Sequence, residues 1–450
     1  MDQDEIPQVN DHDTAGTPET ETPARRSGIS RRQVIRYGAG GLASLSLGGA
    51  AAWYFRDLTE RAAAAEVFKN DAPKGELWEA WKRRGWAREA KHYLKLEENI
   101  QCQLCPNECV LEPEDRGRCR NRVYKEGKLY TMAYGNPCSF QVDAIEKKPL
   151  YHFLPGTRVY SIATSGCGFR CLNCQNWETS QRKPEETKDP RGDEIRLTSR
   201  TEHLARGSAQ YRMSLFPEDL MEICDFYQYP SVAYTYTEPT VWYEYMVDTA
   251  AAAREKNIKN VWVTCGYIRE EPLRELCRVI DAANVDLKSF DEEIYRELNS
   301  GKLEPILRTL EILKEEGVWF EVTHLVVPNY LTEDEDSIKV DLTRRMCDWL
   351  VEKLGPDCPL HFSRFTPRHK LTHLPPTPPK ILEQARSIAR EAGLKYVYVG
   401  NCPEVENAGT TFCPNCRQPV IERHHYSTKL VNFANGKCGG CATRIAGVWS

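Results

Sequence analysis

The sequence predicts an α/β fold: a closed or partly open barrel of parallel βα units, with a small cysteine-rich segment before it and a zinc-ribbon-like module after it. Three observations predict this. From about Arg158 onward, short β-branched or aromatic runs alternate with amphipathic helical patterns. A cysteine quartet precedes that region, and two CxxC pairs follow it. A chain of 450 residues, 41% of them hydrophobic, has material for one large core with appendages.

Residues 1–29 are rich in Asp, Glu, Thr and Pro and nearly free of large apolar side chains, so they read as a disordered acidic tail. Ser30, Arg31, Arg32, Gln33, Val34 and Ile35 then lead into a Gly/Ala/Leu stretch from Tyr37 to Phe55. That layout, over 30–57, is a twin-arginine signal or a membrane anchor, with membrane contact through 37–55. Localisation stays open between export, anchoring and the cytoplasm. A linker with helices is expected over 58–97, a cysteine-rich module over 98–150, the core barrel over 151–402 and the zinc-ribbon-like module over 403–450.

Strands are predicted at Val159 to Ala163, Ser231 to Tyr236, Asn260 to Val263, Ala283 to Leu287, Trp319 to Val327, Leu360 to Ser363 and Tyr396 to Val399. Between them, Trp242, Tyr245, Met246, Thr249, Ala250 and Ala253 recur with helical spacing, as do Leu303, Ile306, Leu307, Leu310 and Leu313. Six or seven such units in series imply parallel strands in a barrel, with a doubly wound sheet as the alternative. A formal charge of −5 supplies no positive field for phosphates, which argues against nucleic acid as a partner.

Eighteen cysteines carry most of the chemistry. Cys167, Cys171 and Cys174 form a CxxxCxxC loop directly after the first barrel strand. Three thiolates bind three irons of a four-iron four-sulfur cluster and leave the fourth open, as a catalytic metal site requires. The amino and carboxylate groups of S-adenosylmethionine would chelate that iron. One electron to the sulfonium would then release methionine and a 5′-deoxyadenosyl radical. The competing readings are a zinc site with a distant fourth ligand, or disulfides.

Cys413 and Cys416 with Cys438 and Cys441 make two knuckles able to wrap a tetrahedral ion, zinc in the first instance and rubredoxin-like iron in the second. Cys102, Cys105, Cys109 and Cys119 suit structural zinc or a second cluster, since four thiolates saturate either; a closed structural site is preferred because no open position is needed there. The remaining cysteines read as buried small hydrophobes, Cys265 being the one to watch.

The stretches CQLCPNECVLEPEDRGRCRNR (102–122), DAIEKKPLYHFLPG (143–156), CGFRCLNCQNWETSQ (167–181), AYTYTEPTVWYEY (233–245), ANVDLKSF (283–290), PLHFSRFTP (359–367) and YVYVGN (396–401) stand in order along the chain. Together they resemble the radical SAM enzymes of the AmmeMemoRadiSam system, relatives of pyruvate formate-lyase activating enzyme. The resemblance runs from Cys102 to Trp449. It implies a partial (βα)6 TIM-like radical SAM barrel with the cofactor at the carboxyl ends of its strands. By position it places Thr237 and Glu238 at the methionyl amino group, Thr264 and Gly266 at the ribose, and Asp286 and Lys288 by the cofactor carboxylate. Asn173 stands where the family carries an aromatic residue, and Cys265 where it carries Asn. Asn329, Tyr330 and Leu331 replace its Gly-containing turn.

His324 and His361, on the fifth and sixth predicted strands, read as mouth-facing groups, His324 being assigned to the cofactor, or as packing residues. The expected activity is reductive cleavage of S-adenosylmethionine, fed by an electron donor and directed at an unidentified protein or small molecule. The alternative is an inactive iron-sulfur scaffold or electron-transfer protein.

Overall fold

The computed structural model describes residues 66–187 and 214–450. The acidic tail and the signal or anchor lie outside the described residues, as does the first part of the 58–97 segment. No helix among the described residues is long and apolar enough to cross a membrane.

One eight-stranded sheet organises the chain. Its strands are β1 (Ser139–Ala144), β2 (Arg158–Ala163), β3 (Ser231–Tyr234), β4 (Lys259–Thr264), β5 (Ala282–Asp286), β6 (Trp319–Val326), β7 (Leu360–Arg364) and β8 (Val397–Gly400). They lie side by side in chain order. All neighbours from β2 to β8 are parallel, and β1 pairs antiparallel with β2. No ladder joins β8 back to β1 or β2 among the described residues, so the sheet is an open α/β barrel and not a closed one.

The crossovers are helices α1 (Pro217–Tyr227), α2 (Tyr243–Glu255), α3 (Glu270–Cys277), α4 (Glu304–Glu315), α5 (Val340–Trp349) and α6 (Pro379–Glu391). Their limits follow from local chemistry. Proline opens α1, α4 and α6 within the first two positions, where its missing N–H costs nothing. Helix α1 stops at Gln228, which takes the left-handed conformation at φ 55°. Tyr160, Ile162, Val232, Tyr234, Trp262, Val285, Val322 and Phe362 alternate along their strands and pack under the helices.

The opposite strand parity lines the interior. At its amino-terminal end Val159, Ala233, Val261 and Ala282 meet Phe153 and Leu150. The C-terminal module closes this end: Val448 N–H donates to the His152 carbonyl at 2.7 Å, and the His152 ring nitrogens lie 2.6 Å from the Ala446 carbonyl and 2.5 Å from the Tyr398 hydroxyl. Glu321, fully buried, accepts from the Tyr151 and His152 amides and sits 2.6 Å from His361 Nε2. His361 therefore belongs to this sealed floor, not to the mouth; a fixed carboxylate one strand away captures its ring.

Burial holds the His152 imidazole near 4 despite Glu321, and His324 is likewise lowered to about 4 by burial. Both are neutral when folded, while in the unfolded chain they protonate near 6.5, so stability falls as pH drops from 6.5 toward 4. We expect a loss of about 2 kcal/mol per histidine between pH 7 and pH 5, read as a lower urea midpoint. Glu321, whose carboxyl is lowered even against burial, adds its loss only below the ordinary carboxylate range. A flat midpoint from pH 7 to 5 would contradict this account.

Candidate active site at the carboxyl ends of the strands

The CxxxCxxC loop leaves β2 through Thr164, Ser165 and Gly166, and each thiol has a support. The Phe169 amide points at Cys167 Sγ (3.4 Å), the Asn299 side-chain amide donates to Cys171 Sγ (3.2 Å), and the Ser180 hydroxyl lies 3.2 Å from Cys174 Sγ. Two backbone bonds tie the loop to the segment before α4, Arg170 N–H to the Asn299 carbonyl and Leu172 N–H to the Leu298 carbonyl. Ser180 falls within the 167–181 stretch, whereas Asn299 lies in none of the quoted stretches and only the fold brings it to Cys171.

Hydrogen bonds between neighbouring strand ends hold the rim. Thr237 donates to the Thr164 carbonyl at 2.7 Å, joining the ends of β2 and β3. Glu238 joins β3 to β4: it accepts from the Thr264 hydroxyl (2.7 Å), the Cys265 amide (2.8 Å) and both the amide and hydroxyl of Thr240. Four donors occupy a carboxylate that is 4% exposed, so its clearest work is to shape the Thr264, Cys265, Gly266 turn. Gly266, at φ +68°, lets that turn lie against Val285 and accepts from Thr309 at 2.7 Å.

Lys288 and Asp286 pair at 2.8 Å at the end of β5. Burial works against the Lys288 charge, but Asp286 and the thiols of Cys171 and Cys265 outweigh it and hold the ammonium well above its usual range. In return, burial pushes the Cys171 thiol up to about 11 while Lys288 pulls it down. A fixed cation beside the thiol favours the thiolate that a metal needs. The His324 Nδ1 lies 2.7 Å from the Leu287 carbonyl, and the residue shares its strand face with Val322 and Val326, in the packing position that the sequence left as its second reading. Asn173 is buried.

None of the eighteen cysteines is in a disulfide, so the thiols of the three cysteine groups are not consumed by S–S bonds. Cys413, Cys416, Cys438 and Cys441 bring their sulfurs within 4.8 Å of one another, with contacts of 3.5 and 3.6 Å. A Zn–S bond near 2.3 Å gives a tetrahedron edge of about 3.8 Å, so one ion fits this quartet. Among the described residues this quartet is the one group of ligand side chains found drawn together in this way. A multi-iron cube asks wider spacing of its thiolates than one ion does, and the soft, supported donors of the Cys167 loop fit such a cluster.

A family model of the radical SAM superfamily matches residues 161–340, the stretch that contains this loop and rim. The chain is also 42% identical over 361 residues to the uncharacterized protein MJ0808 of Methanocaldococcus jannaschii, covering 80% of this chain and 98% of that one. The chain belongs to the radical SAM superfamily. Among solved structures, this radical SAM protein is similar to a domain of pyruvate-formate lyase-activating enzyme from Bacteroides vulgatus (17% identity, 38% of this chain and 98% of that chain, TM-score 0.32). It is similar too to Streptococcus suis SuiB bound to S-adenosylmethionine (13% identity, 59% and 56%, TM-score 0.37).

Proposed function

We propose that this radical SAM protein is an enzyme of the AmmeMemoRadiSam group, in which Cys167, Cys171 and Cys174 hold a four-iron cluster and S-adenosylmethionine binds beside it. The observation that carries the proposal is the supported three-thiol loop at the carboxyl end of β2, ringed by Thr237, Glu238, Thr264, Gly266, Asp286 and Lys288. When bound, the cluster and S-adenosylmethionine supply one-electron cleavage to methionine and a 5′-deoxyadenosyl radical. The chain's own residues bind and position. Asn299 and Lys288 stabilise the Cys171 thiolate, Glu238 fixes the turn that meets the ribose, and the Lys288 ammonium is placed to meet a carboxylate. The target is a protein, as for glycyl-radical activases, or a small molecule.

We assign residues 98–138 to a cysteine-rich module, 139–402 to the catalytic core, whose sheet takes in Ser139–Ala144 ahead of the expected start at 151, and 403–450 to a zinc module. Loss of zinc should be confined to the last: Cys413→Ala is expected to release one zinc per chain, read by elemental analysis, and unchanged zinc would refute the ligand set. The enzyme reading itself is tested by anaerobic reconstitution with iron, sulfide, S-adenosylmethionine and dithionite. Formation of 5′-deoxyadenosine is the expected result. A spectroscopically normal cluster yielding none would favour the scaffold or electron-transfer reading.

A further inference from the structure

The N-terminal quartet is built differently from the C-terminal one. Cys102, Cys105, Cys109 and Cys119 stand around a cavity that Leu104, Leu111 and Val241 also line, and among the described residues the C-terminal quartet, not this one, is found gathered as a single-ion ligand set. Zinc with four thiolates would need every edge near about 3.8 Å, as the C-terminal quartet nearly provides. The wall holds one further feature. Arg122, 1% exposed, lines the cavity with its guanidinium 4.0 Å from Cys102 Sγ, and its Nε is buried without a hydrogen-bond partner. Its other end is committed to Glu244 at 2.6 Å. Nη1, the atom nearest Cys102 Sγ, also donates to the Lys91 carbonyl at 2.9 Å, so the cavity wall beside the thiols carries a buried cation with one donor, Nε, left over.

This cavity abuts the catalytic loop. Asn107 and Arg118 both donate to the Gly168 carbonyl, at 3.2 and 3.0 Å, Arg170 donates to the Arg118 carbonyl, and Asn121 donates to the Ser165 carbonyl at 2.7 Å. Gly166 is pressed against the Cys119 carbonyl. Leu104 accepts from the Arg269 amide at 3.0 Å, in the segment after β4. On the far side Cys105 is partly exposed and Glu108 is exposed, so one edge of the quartet faces solvent while the other touches the loop that bears Cys167.

We propose that Cys102, Cys105, Cys109 and Cys119 hold a second four-iron cluster, through which an electron enters on its way to the centre at Cys167, Cys171 and Cys174. One electron from an external low-potential one-electron reductant converts this cluster from its 2+ to its 1+ core. The same electron then moves to the neighbouring centre and restores the 2+ core, with no bond made or broken and no proton moved. Of the two occupants the sequence spacing allows, structural zinc and a second cluster, this reading takes the second in place of the closed structural site preferred above. The relay rests on the proposed function; the presence of the second cluster does not.

The test uses the full chain, purified and reconstituted without oxygen, with Cys167, Cys171 and Cys174 all changed to alanine. About four irons per chain should remain, and dithionite should raise the paramagnetic resonance of a reduced cluster. An iron-free variant of unchanged circular dichroism, with two zinc ions per chain, would overturn the proposal. In the otherwise native chain, Cys105→Ser should cut iron from about eight to about four per chain; unchanged iron would also overturn it. For the relay, the spectrum of the reduced native protein should show spin coupling absent from both variants, and a simple sum of the two spectra would refute it. If the triple variant keeps its iron while the native protein makes no 5′-deoxyadenosine, the second cluster stands and the enzyme reading falls.

Discussion

Changing Cys171 to alanine is expected to abolish 5′-deoxyadenosine formation, lowering it more than about 100-fold, beyond the 10–100-fold typical of losing a supporting group. Cys171 is the thiol with the most specific surroundings: the Asn299 amide donates to it and the Lys288 ammonium lies beside it. Removing it leaves two thiols, with the Lys288 ammonium paired to Asp286 but no longer facing a Cys171 thiolate. Asn299→Ala keeps the ligand and removes one donor, so it should weaken iron retention by roughly 10–100-fold while leaving the fold intact. Iron content and product yield should therefore rank native, Asn299→Ala, Cys171→Ala. Full product yield from Cys171→Ala would remove that thiol from the ligand set.

Gly166→Ala should be nearly as damaging without touching a ligand. Gly166 sits at φ +93°, and a Cβ there would stand 2.5 Å from both the Cys119 carbonyl oxygen and Asn121 Oδ1. Neither can yield cheaply, one being backbone and the other on a buried side chain that holds the Ser165 and Val241 carbonyls. We expect about 2–4 kcal/mol of lost stability, combining left-handed strain with displacement of the loop from the N-terminal module. Gly317→Ala is the control: its φ is +71° but nothing lies within 4 Å, so only the strain remains. Equal thermal shifts for the two variants would show that the contact contributes nothing.

Much of this architecture is legible in the residues because parallel strands buried on both faces write themselves as continuous β-branched runs. Seven expected strands appear within a residue or two of their places. The edge strand Ser139–Ala144 was not expected: its buried and half-buried residues follow no clean alternation, and it extends the sheet to residues before 151. The cysteine spacings identify the ligand groups because chelation is local. What stays hidden is long-range. Asn299 reaches Cys171 from 128 residues away and Asn121 reaches Ser165 from 44, pairings that no periodicity records. Glu238 was legible as a functional carboxylate, but not as one whose acceptors are already taken by Thr240, Thr264 and Cys265.

Because each strand from β2 to β8 pairs with the one made just before it, a ribosome can release the sheet in register, one unit at a time. The floor is another matter. His152 meets Ala446 across 294 residues of chain, so the apolar residues around Phe153 wait for their C-terminal cover until translation is nearly complete. The nascent protein thus carries its longest-lived sticky surface at the end farthest from its chemistry, and that is where chaperone capture is expected.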